Sequence, residues 1–229
     1  MRPPLDRRDC SYIAVPLVVS AVAGTASELS PYPLRTDLVH ALEGGTVALF
    51  QPFVHPALTT FFVACYLLAY PALLLWTYVA LKRQQGRSRA LDYVVTYTTT
   101  IGLSIPFFYF VPVGVTGYFL DGIQPVLYES TGPIQAFMLN VDTLQKALPS
   151  LHAGLAASAS LHAPRGAERA SWTITGAVLA STLYLGIHWL TDLALGLGLA
   201  YAAYRLTPAI RATLARAGAD PEPAPASGD

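Results

Sequence analysis

Along this chain the apolar residues arrive in unbroken blocks, not at the three-and-four spacing of a helix that shows one face to water. The blocks cover residues 12 to 27, 57 to 81, 91 to 111, 149 to 163, 171 to 187 and 189 to 206, each bounded by charge, Pro or Gly. A helix needs roughly 20 apolar residues to cross the hydrocarbon of a bilayer, so the pattern predicts about six transmembrane helices, the first and fourth of them short. A closed barrel would alternate apolar and polar positions, and that alternation is missing. The expected fold class is all-α: a polytopic membrane protein, a bundle of about six transmembrane helices with interfacial segments on its outer side.

The stretches between blocks refine this picture. Residues 34 to 43 repeat Leu34, Leu38 and Leu42 with Arg35, Asp37 and Glu43 between them, the pattern of an interfacial helix, and Gly44-Gly45 should end it. Residues 112 to 148 mix Gly, Pro and aromatics with Asp121, Glu129, Asp142 and Lys146. A connection that long is usually functional, and it is expected to cover an outer cavity. The first block follows Arg7-Arg8 and ends in Ala21-Val22-Ala23-Gly24, which also fits a cleavable secretory signal. Asp6 and Asp9 favour a retained helix. The chain therefore divides into a cytoplasmic N-terminus (1–11), a membrane-embedded domain (12–206) and a cytoplasmic, largely disordered tail (207–229). Residues 217 to 229 are rich in Pro and lack large apolar side chains, so burial cannot offset their ordering entropy.

Composition sharpens the class. Of the 229 residues 53% are hydrophobic and 12% charged, against roughly a quarter charged in soluble domains. The net charge is zero, so no field attracts nucleic acid. Six spans starting inside place every basic residue except Arg35 and Lys146 in the cytoplasm, among them Arg2, Lys82, Arg89, Arg165 and Arg205. That bias orients the bundle, with both termini cytoplasmic, because Lys and Arg accumulate in short cytoplasmic loops. Cys10 and Cys65 have neither disulfide nor metal-ligand spacing.

Ionisable residues at membrane depth are expensive and point to function; here they are His152, His188 and Asp192, near the outer ends of the last three blocks. Pro149-Ser150-Leu151-His152 opens the fourth block, and Pro suits a first helical turn. Ser150 and His152 then stand at a helix N-terminus, whose free amides and positive dipole end attract an anion such as phosphate. His188 and Asp192 are spaced to share a helix face. A carboxylate there fixes the imidazole tautomer, leaves the second ring nitrogen as nucleophile or base, and stabilises developing positive charge. Lys146, shortly before Ser150, is a candidate phosphate partner, with Arg35 behind it. His40, His55 and His162 are read as structural. Two His and one Asp make no convincing metal site, and no cofactor is expected.

Pro149-Ser150-Leu151-His152-Ala153-Gly154 followed by Tyr184-Leu185-Gly186-Ile187-His188-Trp189-Leu190-Thr191-Asp192 resembles the type 2 phosphatidic acid phosphatase superfamily, most closely the branch with inositol phosphorylceramide synthases. The resemblance runs from about residue 57 to 206. It implies a six-helix membrane fold with a metal-independent site at the extracytoplasmic face, acting on a lipid phosphate or phospholipid. Carried over, His188 is the nucleophile that forms a phosphohistidine, Asp192 orients it, His152 protonates the leaving alkoxide, and Ser150 holds phosphoryl oxygens.

The chain also departs from the family. Thr182, after Ser181, stands where the usual pattern has Arg; no Lys-x6-Arg-Pro element precedes the first motif; and Val111 to Tyr118 replaces a run that commonly ends Pro-Pro-Arg. Charge in the transition state must then be met by Lys146, Arg35 or helix-end amides, or the substrate is a phosphodiester of lower charge. Two other classes stand beside this one. One is an intramembrane serine protease with Ser150 as nucleophile and His188 as base, although Ser150 lacks a Gly-x-Ser-x-Gly elbow. The other is a non-enzymatic transporter or scaffold, favoured if the two histidines lie far apart.

Overall fold

The structure, a computed structural model, describes residues 7–123, 125–129 and 144–217. Among these, regular structure is helical throughout: α1 (Arg7–Glu28), α2 (Thr36–Glu43), a 3-10 segment (Thr46–Phe53), α3 (Pro56–Gln84), α4 (Arg87–Phe110), α5 (Thr116–Phe119), α6 (Val126–Glu129), α7 (Leu151–Leu161), α8 (Glu168–Tyr184) and α9 (Leu190–Ala217). A lone bridge pairs Val113 with Lys146. The expectations for residues 1–6, for Asp142 and for the tail from residue 218 lie outside the described residues.

Among the described residues two helices are long and apolar enough to cross a membrane, α3 with 29 residues and α9 with 28. At the α-helical rise each extends for more than about 40 Å, beyond the roughly 30 Å of bilayer hydrocarbon. Tyr12–Glu28 within α1 and Leu151–Leu161 are apolar but shorter. The block read at 149 to 163 is helical only over Leu151–Leu161, because Ser150 caps its start in an extended conformation and His162 ends it. At the other extreme, α9 continues past residue 206 to Ala217, where a disordered tail was expected. Ala, Leu and Arg dominate that extension and are strong helix formers, and Arg211 Nε pairs with Asp92 Oδ1 of α4 at 3.2 Å.

Around α7 the other helices form a shell. It packs against α3, α4, α8 and α9, while α4 also takes α1 along its flank. Residues 153–160 of α7 are all buried and are Ala, Gly, Ser and one Leu. Such small side chains let neighbouring backbones close in. Gly196 of α9 shows the need: a Cβ there would meet Ser150 O at 2.3 Å. Hydroxyls buried in this packing bond across helices, Thr100 to Ser158 at 3.1 Å and Ser160 to Thr175 at 2.8 Å.

α2 forms where the periodicity predicts and ends at Gly44, whose φ of 60° is a left-handed conformation natural to glycine. Its buried residues are Thr36 and Val39, so Leu34, Leu38 and Leu42 turn outward and stay exposed. That arrangement suits a helix lying at a lipid surface.

Candidate active site

The two motifs meet through their backbones before their side chains do. Ser150 N–H donates to Asp192 O at 3.0 Å, which ties the entry of α7 to the first turn of α9. Ser150 is buried, and its Oγ accepts from Ala153 N–H at 3.2 Å, the N-cap bond that closes the start of α7. His152 is thereby set in the first turn, with its ring toward the interior.

His188 arrives by a different device. α8 ends at Tyr184, and Gly186 takes a φ of 68°, reversing the chain. Ile187 N–H returns to Thr182 O at 3.0 Å, the closing bond of a left-handed helix terminus. The loop then delivers His188 and Trp189 to the N-terminus of α9. Thr182, at the position where the usual family pattern has Arg, is fully buried, and its hydroxyl donates to Leu179 O. It serves the turn and does not line the cavity described below.

At the start of α9 the amides that have no helical partner are taken by carboxylates. Asp192 Oδ2 accepts from Trp189 N–H at 2.9 Å and contacts His188 Nδ1 at 3.1 Å. Both side chains are nearly or completely buried, and Asp192 Oδ1 has no hydrogen-bond partner among the described residues. Glu43 of α2 accepts from Leu190 N–H and Thr191 N–H, both at 3.1 Å. Burial raises the Glu43 carboxyl above its usual value; the bonds from α9 oppose that rise and nearby Asp192 adds to it. Trp189 is fixed from the other side, its indole N–H donating to Gly114 O at 3.0 Å.

His152 and His188 lie side by side, ring centroids 5.7 Å apart. They line one cavity of about 390 Å³ together with Lys146, Tyr66 and Tyr70. Lys146 is held there by backbone bonds: Ala147 N–H to Val113 O at 2.9 Å and Val113 N–H to Gln145 O at 3.2 Å. Among the described residues it is the one lysine or arginine that lines the cavity; Arg35 is exposed and does not. The Tyr66 and Tyr70 rings sit 4.5 and 4.9 Å from the His152 ring. A π-helical stretch, Cys65–Ala69, interrupts α3 at this level, and such turns recur at functional sites. The far wall comes from α1, through Ser20, Ala23 and Gly24.

The expected site residues thus separate. His152, His188 and Lys146 line the cavity, Asp192 stands behind His188, and Ser150 is spent on capping, away from the lining. Engaged in that way, its hydroxyl lends no support to a protease nucleophile. The other histidines have structural surroundings. His40 packs against Phe119 and Trp189, His55 caps α3 by accepting from Ala57 N–H, and His162 bonds Thr96. Cys65 is a free, buried thiol, and no metal-binding cluster occurs among the described residues. Glu43, the α1 wall and the two tyrosines carry no motif. A Tyr pair four apart within an apolar block was the one available hint.

An all-helical chain with membrane-length helices and a carboxylate-backed histidine facing a second histidine defines a narrow class. The family model described as the PAP2 superfamily matches residues 40–206, and the chain belongs to that superfamily. Membership points to a phosphatase or phosphotransferase acting on phosphate esters. Neither the curated proteins nor the solved structures gave a match.

Proposed function

We propose that the protein is a metal-independent membrane enzyme that cleaves a lipid phosphate ester through a phosphohistidine on His188. The observation that carries this reading is the His152–His188 pair, 5.7 Å apart across one cavity with Asp192 behind His188. That spacing leaves room for a phosphoryl group between the imidazoles, so that attacking and leaving atoms can lie in line.

With Nδ1–H donating to Asp192, the lone pair of His188 is on Nε2. Nε2 attacks phosphorus, the ester P–O bond breaks, and His152 gives its proton to the departing alkoxide. The Asp192 carboxylate stabilises the positive imidazole ring that results. Water or an alcohol then attacks phosphorus, His152 takes its proton, and the P–N bond breaks to restore His188. Lys146 and the first-turn amides of α7 meet the charge on the phosphoryl oxygens. Among the described residues the lining carries one lysine and no arginine, which suits a phosphodiester monoanion better than a dianionic monoester.

The bundle is read as six spans with the histidines at the extracytoplasmic end and both termini in the cytoplasm. Support comes from the opposite end, where Arg89 and Arg165 border one hollow with Glu168, and Arg211 meets Asp92. Basic residues gather there, as cytoplasmic ends do.

The test is His188→Ala in purified protein with a panel of phospholipids and lipid phosphates, with and without inositol-type or glycerol-type acceptors. Release of headgroup or phosphate is expected to vanish, and product in the wild-type reaction is expected to depend on the acceptor. Unchanged turnover in His188→Ala would remove the mechanism.

A further inference from the structure

The family match begins at residue 40, yet α1, which lies wholly before it, builds one wall of the histidine cavity. A second cavity of about 170 Å³ adjoins the first, and Ser20 and Tyr97 line both. The second cavity runs between α1 and the facing helices, with Ile13 and Leu17 on one side and Leu74 and Val94 on the other. Among the described residues its lining is aliphatic and aromatic apart from Ser20, with no Asp, Glu, Lys or Arg. From Ser20 to Tyr12 this groove follows about 12 Å of helix at the α-helical rise. At its far end the Arg87 guanidinium lies over the Tyr12 ring, 5.9 Å from the centroid. The α1 face beyond the groove is apolar and exposed at Val15, Val18 and Val22, as a lipid-facing surface would be.

We infer that this groove holds one hydrocarbon chain of the substrate while its phosphate lies between His152 and His188. The inference rests on the phosphoester reading above and adds to it the part of the ligand that α1 selects. Ser20 and Tyr97, which line both cavities, set the polar and apolar halves side by side as an amphiphile needs them. A head at the histidines with no tail would leave the groove to be filled by solvent or by a membrane lipid, whereas a covalently attached chain gains by burying methylenes there. α1 is therefore part of the working enzyme.

The experiment compares butyl, octyl and hexadecyl esters of one phosphate headgroup on the wild type and on Ile13→Trp and Val94→Trp, which fill the groove from opposite walls. The expected result is a kcat/KM that rises with chain length in the wild type, and a long-to-short ratio reduced by about tenfold or more in either variant. A ratio that stays the same in both variants while they remain folded overturns the groove. A second measurement needs no turnover: hexadecyl phosphate with a diazirine at the chain end is photo-crosslinked to His188→Ala protein and the labelled peptide identified. Label on Tyr12–Ser20, Leu74–Tyr78 or Tyr93–Tyr97 supports the groove; label confined to residues outside these stretches overturns it. Wild-type protein inactive on every ester would sink the phosphoester reading instead, and the crosslink would still decide the groove.

Discussion

His152 and His162 stand at opposite ends of α7, and the fold surrounds each with two tyrosines. Tyr66 and Tyr70 flank the first at 4.5 and 4.9 Å, Tyr93 and Tyr204 the second at 6.0 and 5.0 Å. What differs is everything else. His162 is buried, and its Nε2 meets Thr96 Oγ1 at 2.7 Å, a hydroxyl that also bonds Thr207 at 2.7 Å. Three helices, α7, α4 and α9, are pinned together there. His152 borders an open cavity and a second imidazole that is itself backed by a carboxylate. Aromatic packing around a histidine therefore says little about its use; a saturated ring is a fastener, and a ring facing space and a partner is available for chemistry.

The largest contrast between the two ends should appear on losing the imidazoles. His188→Ala is expected to abolish turnover, whereas His162→Ala should leave kcat per folded molecule within about twofold, since His162 does not line the cavity. Equal losses in both would erase the distinction. Next in size is His152→Ala, expected to lower kcat by about 10²–10⁴-fold, as loss of a general acid does. The deficit should shrink sharply for an aryl phosphate ester whose leaving group needs no proton, and a constant deficit would argue against proton donation. Asp192→Asn should cost a comparable factor, about 10²-fold or more, by removing the carboxylate that holds the ring and meets its charge. Circular dichroism and elution profile should stay the same, because the amide oxygen can still accept from Trp189 N–H.

Smaller effects concern stability and positioning. His162→Ala leaves buried Thr96 and Thr207 to rearrange, at a cost of about 1–3 kcal/mol, to be read as earlier thermal unfolding in detergent. The smallest belongs to Glu43. Its carboxyl is raised in the folded protein, so the fold binds a proton more readily than the unfolded chain does. Stability should therefore fall slightly as pH rises from the unfolded-chain value through the folded one, and level off above it. Glu43→Gln should flatten that segment of the unfolding-temperature profile. A modest loss of kcat should accompany it, because Glu43 holds the first amides of α9 beside Asp192. A pH profile identical to wild type would remove the titration from Glu43.

How legible this was in the chain varies from element to element. α2 and its stop at Gly44 could be read from spacing alone, since a helix signal and a glycine terminator are local. The pairing of Pro149–Gly154 with Tyr184–Asp192 could be read because capping at Ser150 and the turn at Gly186 are local devices that aim His152 and His188. The ends of α7 and α9 were harder. Apolar character continues past residue 161 and fades before 217, while the helices follow caps and an ion pair with Asp92.

By itself, then, the sequence determined where helices form and which imidazoles, carboxylate and lysine accompany one another, because periodicity, turn residues and caps act over a few residues. Only the tertiary structure decided that Ser150 lies away from the cavity lining, that Glu43 closes the start of α9, and that Tyr66 and Tyr70 frame His152. It also decided that α1 walls the cavity. These outcomes depend on surfaces far apart in the chain fitting at ångström distances, as at Gly196 against Ser150, and no local pattern encodes such a fit.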